Sequence, residues 1–328
     1  MSHSKTFRPQ SILPIAVAAV AFVLLLSAPA EAADAARTGL SLCAHSIIPT
    51  LFPFFVLSSL MLEVGLPHRL ASLTAPLTSR IFRVSGEGAT AFLLGLCGGY
   101  PLGATATAEL CRNGTISKEE GQRLLAFCNN CGPAFIVGAA GVGVFRSTGI
   151  GLFLYCIQIL SAILVGVLFS IGAPPAPRRP QQTNIQAVPL APALANAIRT
   201  GVTGILNVCG FVTFFSVLCG MLASTGTLST LVRLFSACTG LELSACTGFL
   251  QGFLELGGGI GALYGASRTP QNLAVCAFLL GWGGVCVHCQ TAAAILGSGL
   301  SARTHTVGRL LHGCISMILA LLLGILFL

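Results

Sequence analysis

The sequence predicts an all-α polytopic membrane protein: an inverted repeat of helix, re-entrant hairpin, broken helix and helix, preceded by an N-terminal transmembrane helix. Three observations predict this class. Only 8% of the 328 residues are charged, whereas soluble domains carry about 25%. Long apolar segments recur through most of the chain. Matching motifs relate the second half of the chain to the first, so each half is expected to form the same elements.

The first apolar run covers residues 12–27 and follows Lys5 and Arg8. The stretch Ala28-Pro29-Ala30 resembles a signal-peptidase site, so this segment is either a cleaved signal or a transmembrane helix. We favour a retained N-terminal transmembrane helix within residues 1–33, because a first crossing there agrees with the distribution of basic residues.

A duplication is visible as five motif pairs that occur in the same order in both halves, at offsets of 157 to 162 residues. For example, Ala36-Arg37-Thr38-Gly39 recurs as Ile198-Arg199-Thr200-Gly201. A regular internal offset indicates duplicated structural units. The predicted units are the N-terminal helix, the first repeat, a Pro-rich cytoplasmic linker and the second repeat, at residues 1–33, 34–172, 173–194 and 195–328.

Each repeat is predicted to contain a helix, an amphipathic stretch in the membrane interface, a Gly-broken hairpin, an interrupted helix and a full-length helix. The hairpin limbs are too short to cross, since spanning takes about 20 residues. We therefore expect each hairpin to enter and leave the membrane on the same side. The ranges are 40–64, 67–83, 88–112, 117–145 and 149–172, and then 200–224, 227–239, 242–267, 270–300 and 310–328.

An odd number of crossings in each repeat places the second repeat in the membrane in the opposite orientation. With the first helix, this predicts seven crossings of the cell membrane, with the N-terminus in the cytoplasm and the C-terminus outside. The basic residues agree with the positive-inside rule. Of the 17 Lys and Arg residues, 13, including Arg309, fall on the cytoplasmic side, and the others are Arg37, Arg146, Arg233 and Arg268.

The first hairpin is interrupted at Gly99-Tyr100-Pro101. Backbone groups left unpaired inside a membrane persist only where protein or a water-filled cavity satisfies them. The alternative is a close helix contact through glycines spaced by four, without a ligand. We predict that Gly99, Pro101 and Gly103 form the hinge of this hairpin. Tyr100 and Thr105 are the predicted substrate contacts, and Glu109 is a predicted ion- or proton-coupling group.

The interrupted helix of the first repeat carries Asn129 and Asn130 before Gly132 and Pro133. Polar groups at membrane depth are costly and usually functional. We predict that both carboxamides contact a substrate, because each can donate and accept hydrogen bonds, and that Gly132 and Pro133 form the hinge. Alternatively, the asparagines only cap the broken backbone.

The second hairpin carries an acid near its break. Gln251 and Glu255 are four residues apart and share a helix face. We predict that Gln251 contacts the substrate and that Glu255 couples binding to an ion or proton. The alternative is a Glu255 that is protonated or salt-bridged for structural reasons. The predicted hinge residues are Gly257, Gly258 and Gly259.

The last break lies near Gly283-Gly284 or near Gln290. We predict Gln290 as a substrate contact and His288 as a coupling group, although a lone histidine is also typical of a satisfied core residue. The Cys-x-x-C pairs at residues 128–131 and 286–289 could hold zinc. Charged thiolates are costly at this depth, so we predict no metal and treat the cysteines as packing residues.

Motifs for a catalytic triad, a zinc protease, a phosphate loop or a dinucleotide site do not occur. We therefore predict no enzymatic activity, no catalytic residues and no cofactor. The net charge of +8 does not indicate nucleic-acid binding, because the basic residues lie in short clusters between apolar segments. The predicted partners are the lipid bilayer and a small polar solute; assembly into a homo-oligomer stays open.

Several segments together resemble the YlbJ family of sporulation integral membrane proteins. They are Leu96 to Ala104, Gly114 to Ser117 with Glu120, Arg123 to Ile136, and Phe249 to Gly259. The Gly-Tyr-Pro and Asn-x-x-Gly-Pro blocks are specific, and the resemblance covers most of the chain from about residue 34 onward. This family is grouped with nucleoside-recognition (Gate) domain proteins, whose core resembles concentrative nucleoside transporters.

The resemblance implies an inverted-repeat hairpin fold and a role in spore formation in a Gram-positive lineage. One functional hypothesis is a permease for a small polar solute bound at the membrane midplane, and the family resemblance implies that this solute is nucleoside-like. The other is a non-transporting membrane scaffold component needed for formation of the spore envelope (cortex). The sequence leaves the solute and the coupling ion open.

Overall fold

The computed structural model describes residues 12–175 and 189–327, and within these ranges it contains helices and no β-strand. The predicted all-α class is therefore confirmed. Two π-helical segments, Cys43–Ile47 and Ala134–Val144, join the α-helices. These are α1 (Ile12–Ser27), α2 (Pro29–Leu42), α3 (Ile48–Glu63), α4 (Leu66–Ile81), α5 (Gly86–Gly98), α6 (Leu102–Arg112), α7 (Lys118–Leu124), α8 (Thr148–Ser170), α9 (Leu190–Ser224), α10 (Thr227–Thr239), α11 (Leu243–Leu254), α12 (Leu256–Ala262), α13 (Pro270–Trp282), α14 (Gly284–Ala294) and α15 (Ala302–Phe327).

Some predictions concern residues outside the described ranges. They are the basic residues Lys5 and Arg8, the beginning of the N-terminal helix and most of the linker at 173–194, including Arg178 and Arg179.

Five of the described helical stretches are long and apolar enough to cross a membrane. Their outer surfaces are apolar as well; α15, for example, exposes Ile318, Leu322 and Ile325. This confirms a multi-pass membrane protein, and the seven crossings and the orientation of the termini stay predictions. The five stretches are Pro29–Glu63, Thr148–Ser170, Leu190–Ser224, Pro270–Ala294 and Ala302–Ile325.

The first helix of each repeat begins earlier than the sequence pattern predicts. In the first repeat it runs from Pro29 through the π-helical segment to Glu63, and in the second it begins at Leu190. The separate helix α1 has 16 residues, fewer than the roughly 20 that a straight crossing takes. A first crossing by residues 1–33 stays a prediction.

These two long helices pack against each other and run antiparallel. Near one end of the pair, Gly220 lies against Ala35, and near the other, Gly201 lies against Val56. Contacts between the repeats are also reciprocal: α6 of the first repeat contacts α14, and α12 of the second contacts the π-helical segment Ala134–Val144. Antiparallel packing is expected of an inverted repeat, whereas reciprocal contacts are expected of a two-fold repeat of either kind.

Three of the four helical breaks fall where the sequence places them, and the break of the second hairpin lies just before the predicted glycines. The first hairpin is interrupted between Gly98 and Leu102, and the first interrupted helix between Leu124 and Ala134. In the second repeat the hairpin breaks at Glu255 and the interrupted helix at Gly283, whose φ of 84° is left-handed. Of the two positions considered for the last break, the structure has the one at Gly283, and Gln290 lies inside α14.

The predicted roles of some hairpin glycines differ from the structure. Gly257, Gly258 and Gly259 lie inside α12, and the chain turns at Glu255 instead, because its side chain caps α12. Gly103 lies inside α6, where an added side chain would overlap the Cys128 carbonyl oxygen. These glycines therefore allow close packing or capping and are not hinges.

The sequence pattern places Arg309 before the last helix, among the cytoplasmic basic residues, whereas the structure places it within that helix. Its side chain is 0% exposed, inside α15. A charge enclosed by protein contributes nothing to a loop-based topology rule, so the positive-inside argument rests on the remaining residues.

Candidate functional site

Three of the four breaks, at Gly99, Gly132 and Glu255, line a first cavity of about 350 Å³. One wall comes from the break-bearing elements and includes Tyr100, Glu255 and Gln290. The opposite wall comes from the first helices of the two repeats, through Thr50 and Val208 among others. The cavity therefore lies between the antiparallel helix pair and the broken helices, and most of its lining is apolar.

A second cavity of about 340 Å³ lies along the same pair of helices. Pro101 and Thr105 line it from the first hairpin, and Arg199 and Asn207 from α9. Gln290 belongs to the lining of both cavities. Three predicted substrate contacts, Tyr100, Thr105 and Gln290, thus lie on cavity walls, together with the predicted coupling residue Glu255.

The tip of the first hairpin is anchored by Arg309. The Tyr100 hydroxyl donates a hydrogen bond to the Leu280 carbonyl oxygen at 2.8 Å and accepts one from Arg309 Nη2 at 2.7 Å. Arg309 also donates to the Gly281 carbonyl oxygen and, at 3.1 Å, to Asn130 Oδ1. Arg309 therefore connects the first hairpin, the first interrupted helix and the end of α13.

Arg309 is buried without an acidic partner: among the described residues no carboxylate lies within salt-bridge distance of it. Burying an unpaired charge costs much free energy unless hydrogen bonds compensate. The carbonyl groups of Leu280 and Gly281 lie in the last turn of α13, where the helix dipole is negative. The broken end of α13 thus supplies the counter-charge that no carboxylate provides.

The two asparagines of the first interrupted helix are fully enclosed and bonded to protein. Asn129 Nδ2 donates to Thr291 Oγ1 at 2.9 Å, and Asn130 Nδ2 donates to the Phe127 carbonyl oxygen at 2.8 Å. Neither residue lines either of the two cavities. The structure places them behind the cavity wall, where Asn129 links the repeats and Asn130 caps the broken backbone and contacts Arg309.

Glu255 is the acid at the tip of the second hairpin, with only 4% of its surface exposed. Its Oε1 accepts a hydrogen bond from the Gly257 amide at 2.7 Å, and its Oε2 accepts one from the Gly258 amide at 2.5 Å. A carboxylate has about four acceptor positions, so these bonds leave capacity on the cavity side. Glu255 combines a structural cap with a negative charge at the cavity.

The other predicted site residues lie elsewhere. Gln251 on α11 and the half-buried Glu109 on α6 line neither cavity. The ring of His288 packs against Trp282 and His305, with ring centroids 4.1 and 5.0 Å apart, and both its nitrogens are buried without a hydrogen-bond partner. The structure therefore does not bring these side chains to the cavity walls.

Sequence reasoning missed the role of α15. His305, Arg309 and His312 are all 0% exposed and lie on one helix face. Their spacing of four and three residues within an apolar segment was the signal that could have identified them, because charged or titratable groups inside a span mark functional or structural networks. The cavity-lining residues of α9, such as Asn207 and Val208, carry no comparable pattern.

The fold and the cavities define a class: a polytopic α-helical membrane protein with broken helices around internal cavities. No protein-family model and no solved structure matches the chain. The chain is similar to sporulation integral membrane protein YlbJ of Bacillus subtilis (strain 168), with 29% identity over 325 residues, covering 91% of this chain and 79% of that protein. This similarity confirms the resemblance to the YlbJ family of sporulation integral membrane proteins. The relation to nucleoside-recognition domains stays a prediction.

Proposed function

We propose that this protein is a sporulation-associated membrane protein that binds a small polar solute in the first cavity and moves it across the membrane. The observation that carries the proposal is the convergence of the backbone breaks at Gly99, Gly132 and Glu255 on one cavity. Broken helices inside a membrane line protein-enclosed or water-filled sites, and in secondary transporters they form the substrate and ion sites.

The chemistry of the cavity fits a solute of this kind. Its walls are mainly apolar, and a few polar groups provide orientation, as in small-molecule sites generally. Tyr100 and Gln290 offer neutral polar groups, and Glu255 offers a negative charge for a cation or a proton. We assign the coupling role to Glu255 because it is the acid on this wall.

Binding is tested by thermal stabilisation of the purified protein with a panel of nucleosides, amino acids and sugars, each with Na⁺ or K⁺. A ligand that binds only the folded form raises the melting temperature. The hits are then tested as radiolabelled solutes for uptake into proteoliposomes. We expect uptake by the wild-type protein and its loss in Glu255→Gln. Absence of both stabilisation and uptake across the panel contradicts the proposal.

The sporulation role is tested in Bacillus subtilis lacking YlbJ, by expressing this chain and counting heat-resistant spores. We expect the wild-type chain and the control Gln271→Ala, an exposed position that lines neither cavity, to restore spore formation. Glu255→Gln at equal membrane abundance should not restore it. Full restoration by Glu255→Gln contradicts the assignment of the site.

A specific observation favours the second candidate, a non-transporting membrane component needed for the spore envelope. The polar groups behind the first cavity, including Asn129, Asn130 and Arg309, are bonded to protein and need no solute. Under this hypothesis the chain restores spore formation, whereas no solute stabilises the protein or is taken up. The two assays together therefore distinguish the candidates.

A further inference from the structure

The two cavities follow one another along the same helices. On α14, Cys286 and Val287 line the first cavity, and Ala293 and Ala294 line the second. On α9 the order runs the other way, from Arg199 in the second cavity to Val212 in the first. At 1.5 Å per residue, that stretch of α9 is about 20 Å long, a large part of the hydrocarbon thickness of about 30 Å.

The cavities meet at a pair of side chains. Val208 on α9 and Gln290 on α14 are the residues that line both cavities. Both side chains are nearly enclosed, at 4% and 5% exposure. The first hairpin is divided in the same way, with Tyr100 on the first cavity and Pro101 on the second. The boundary between the cavities therefore lies at the level of this hairpin tip.

The chemistry of this boundary is neutral. Glu255 and His45 are the ionisable acid and base on the first cavity, and Arg199 is the charged residue on the second. Between them stands the Gln290 carboxamide, whose Nε2 donates to Cys286 Sγ at 3.3 Å. Because a thiol is a weak acceptor, this hydrogen bond is readily exchanged for one to a passing solute.

We propose that the two cavities are the two halves of one aqueous route, closed in this structure between Val208 and Gln290, and that Gln290 determines which solutes pass. A neutral amide at the narrowest point favours small solutes without net charge that donate and accept hydrogen bonds. This inference rests on the proposed function, since it describes a route through the proposed solute site.

Two native cysteines report on the route. Cys131 and Cys286 line the first cavity, and no cysteine lines the second. Right-side-out and inverted membrane vesicles are treated with a membrane-impermeant cationic or anionic methanethiosulfonate, and modification of each cysteine is measured on its peptide by mass spectrometry. Cys131 is the main reporter, because Gln290 contacts Cys286 and its substitution changes that thiol directly.

We expect both cysteines of the wild-type protein to react from one side of the membrane only. In Gln290→Ala and in Val208→Ala, we expect the rate at which Cys131 is modified by reagent added on the opposite side of the membrane to rise about tenfold. This factor corresponds to the loss of one hydrogen bond or an equivalent contact. In Gln290→Glu, the cationic reagent arriving from that side reacts about tenfold faster than the anionic one. The control Gln271→Ala keeps the one-sided pattern.

Equal modification from both sides in the wild-type protein overturns the closed boundary. An unchanged one-sided pattern in both Gln290→Ala and Val208→Ala, with melting temperatures near that of the wild type, overturns the placement of that boundary. Absence of charge discrimination in Gln290→Glu overturns the role of Gln290 in selection. If neither cysteine reacts from either side in any variant, the reagent does not reach the first cavity and the aqueous route is overturned, whereas the proposed function is judged separately by the thermal-stabilisation and uptake assays.

Discussion

The tips of the two hairpins occupy equivalent positions in the repeats but satisfy their broken backbones by different means. The first tip is bonded to the other repeat: Tyr100 bonds with Arg309 of α15 and with the end of α13. The second tip is bonded to itself, because Glu255 caps the helix that follows it. Both hairpins are therefore broken, whereas the groups that stabilise each break differ.

The difference has an energetic consequence. Bonds that cross between the repeats couple the first tip to the packing of the whole core, so that changing one partner affects several elements. The bonds of the second tip stay within its own repeat: Glu255 caps the helix that follows, and the nearby Phe253 carbonyl oxygen accepts a hydrogen bond from Trp282 Nε1 at 3.0 Å. We therefore expect substitutions at the first tip to act through partners in the other repeat, and substitution of Glu255 to act through the cap of α12.

The largest expected effect concerns what the two hairpins share, a glycine that lets another backbone segment approach closely; the neighbour of Gly103 is the first interrupted helix, and that of Gly259 is the other limb of its own hairpin. An added methyl group at Gly103 overlaps the Cys128 carbonyl oxygen, and one at Gly259 overlaps the Gly252 backbone. Backbone cannot rotate away as a side chain can, so Gly103→Ala and Gly259→Ala should each destabilise by about 3 kcal/mol or more. The melting temperature in detergent measures this.

The matched control for the glycine variants is Gly261→Ala on the same helix as Gly259, where no atom lies within 4 Å of an added methyl group. This variant should melt at or above the wild-type temperature, because alanine is favoured over glycine in helices by about 0.5–1 kcal/mol. Equal melting temperatures for Gly259→Ala and Gly261→Ala would show that the limbs are not in contact.

Arg309→Lys tests the anchor of the first tip. Lysine keeps the charge but lacks the planar fork that reaches several acceptors at once. Hydrogen bonds to charged groups contribute about 1.5–3 kcal/mol each, so the loss of one or two of them should lower stability by about 3 kcal/mol. Unchanged stability of Arg309→Lys would mean that the contacts to Gly281 and Asn130 do not stabilise the protein.

Glu255→Gln tests the second tip. A glutamine side chain has one acceptor oxygen, so it can accept from only one of the Gly257 and Gly258 backbone amides. Its NH₂ group is a donor and faces the remaining backbone N–H unfavourably. The loss of a helix cap costs about 1–2 kcal/mol, and the melting temperature should fall by less than in Arg309→Lys. If the melting temperature falls further in Glu255→Gln than in Arg309→Lys, the local cap of the second tip stabilises the protein more than the bonds between the repeats at the first tip, contrary to our expectation.

Tyr100→Phe should have the smallest effect, about 1–2 kcal/mol, because it removes a hydroxyl that makes two hydrogen bonds and keeps the ring. Its coupling to Arg309 is measured by the melting temperatures of Tyr100→Phe, Arg309→Lys and the double variant. We expect the double variant to lose less stability than the sum of the single variants, since both remove the same bond. If the stability losses of the two single variants add up to that of the double variant, Tyr100 and Arg309 do not stabilise the protein through a shared hydrogen bond.

The broken-helix pattern was predictable because its signals are local. Adjacent glycines, or glycine with proline, inside an apolar segment favour a break, and the segments between Gly98 and Leu102 and at Gly283 break as predicted. Single residues of these types, such as Pro53 and Gly103, lie inside helices. The partners of Asn129 and Asn130 were not predictable in this way. Their bonds run to Thr291 and Arg309, more than 150 residues away, and no local pattern specifies such a pairing.

Through its composition, its periodic apolar segments and its duplicated motifs, the sequence by itself determined an all-α membrane protein and three of the four break positions, and it predicts two related halves. These properties follow from short-range backbone chemistry and from the solvent that each segment prefers. Only the tertiary structure decided which polar groups face a cavity. It enclosed Asn129 and Arg309, exposed Glu255 and Gln290 to the cavities, and added Val208 from α9, because packing between distant helices sets the direction in which each side chain points.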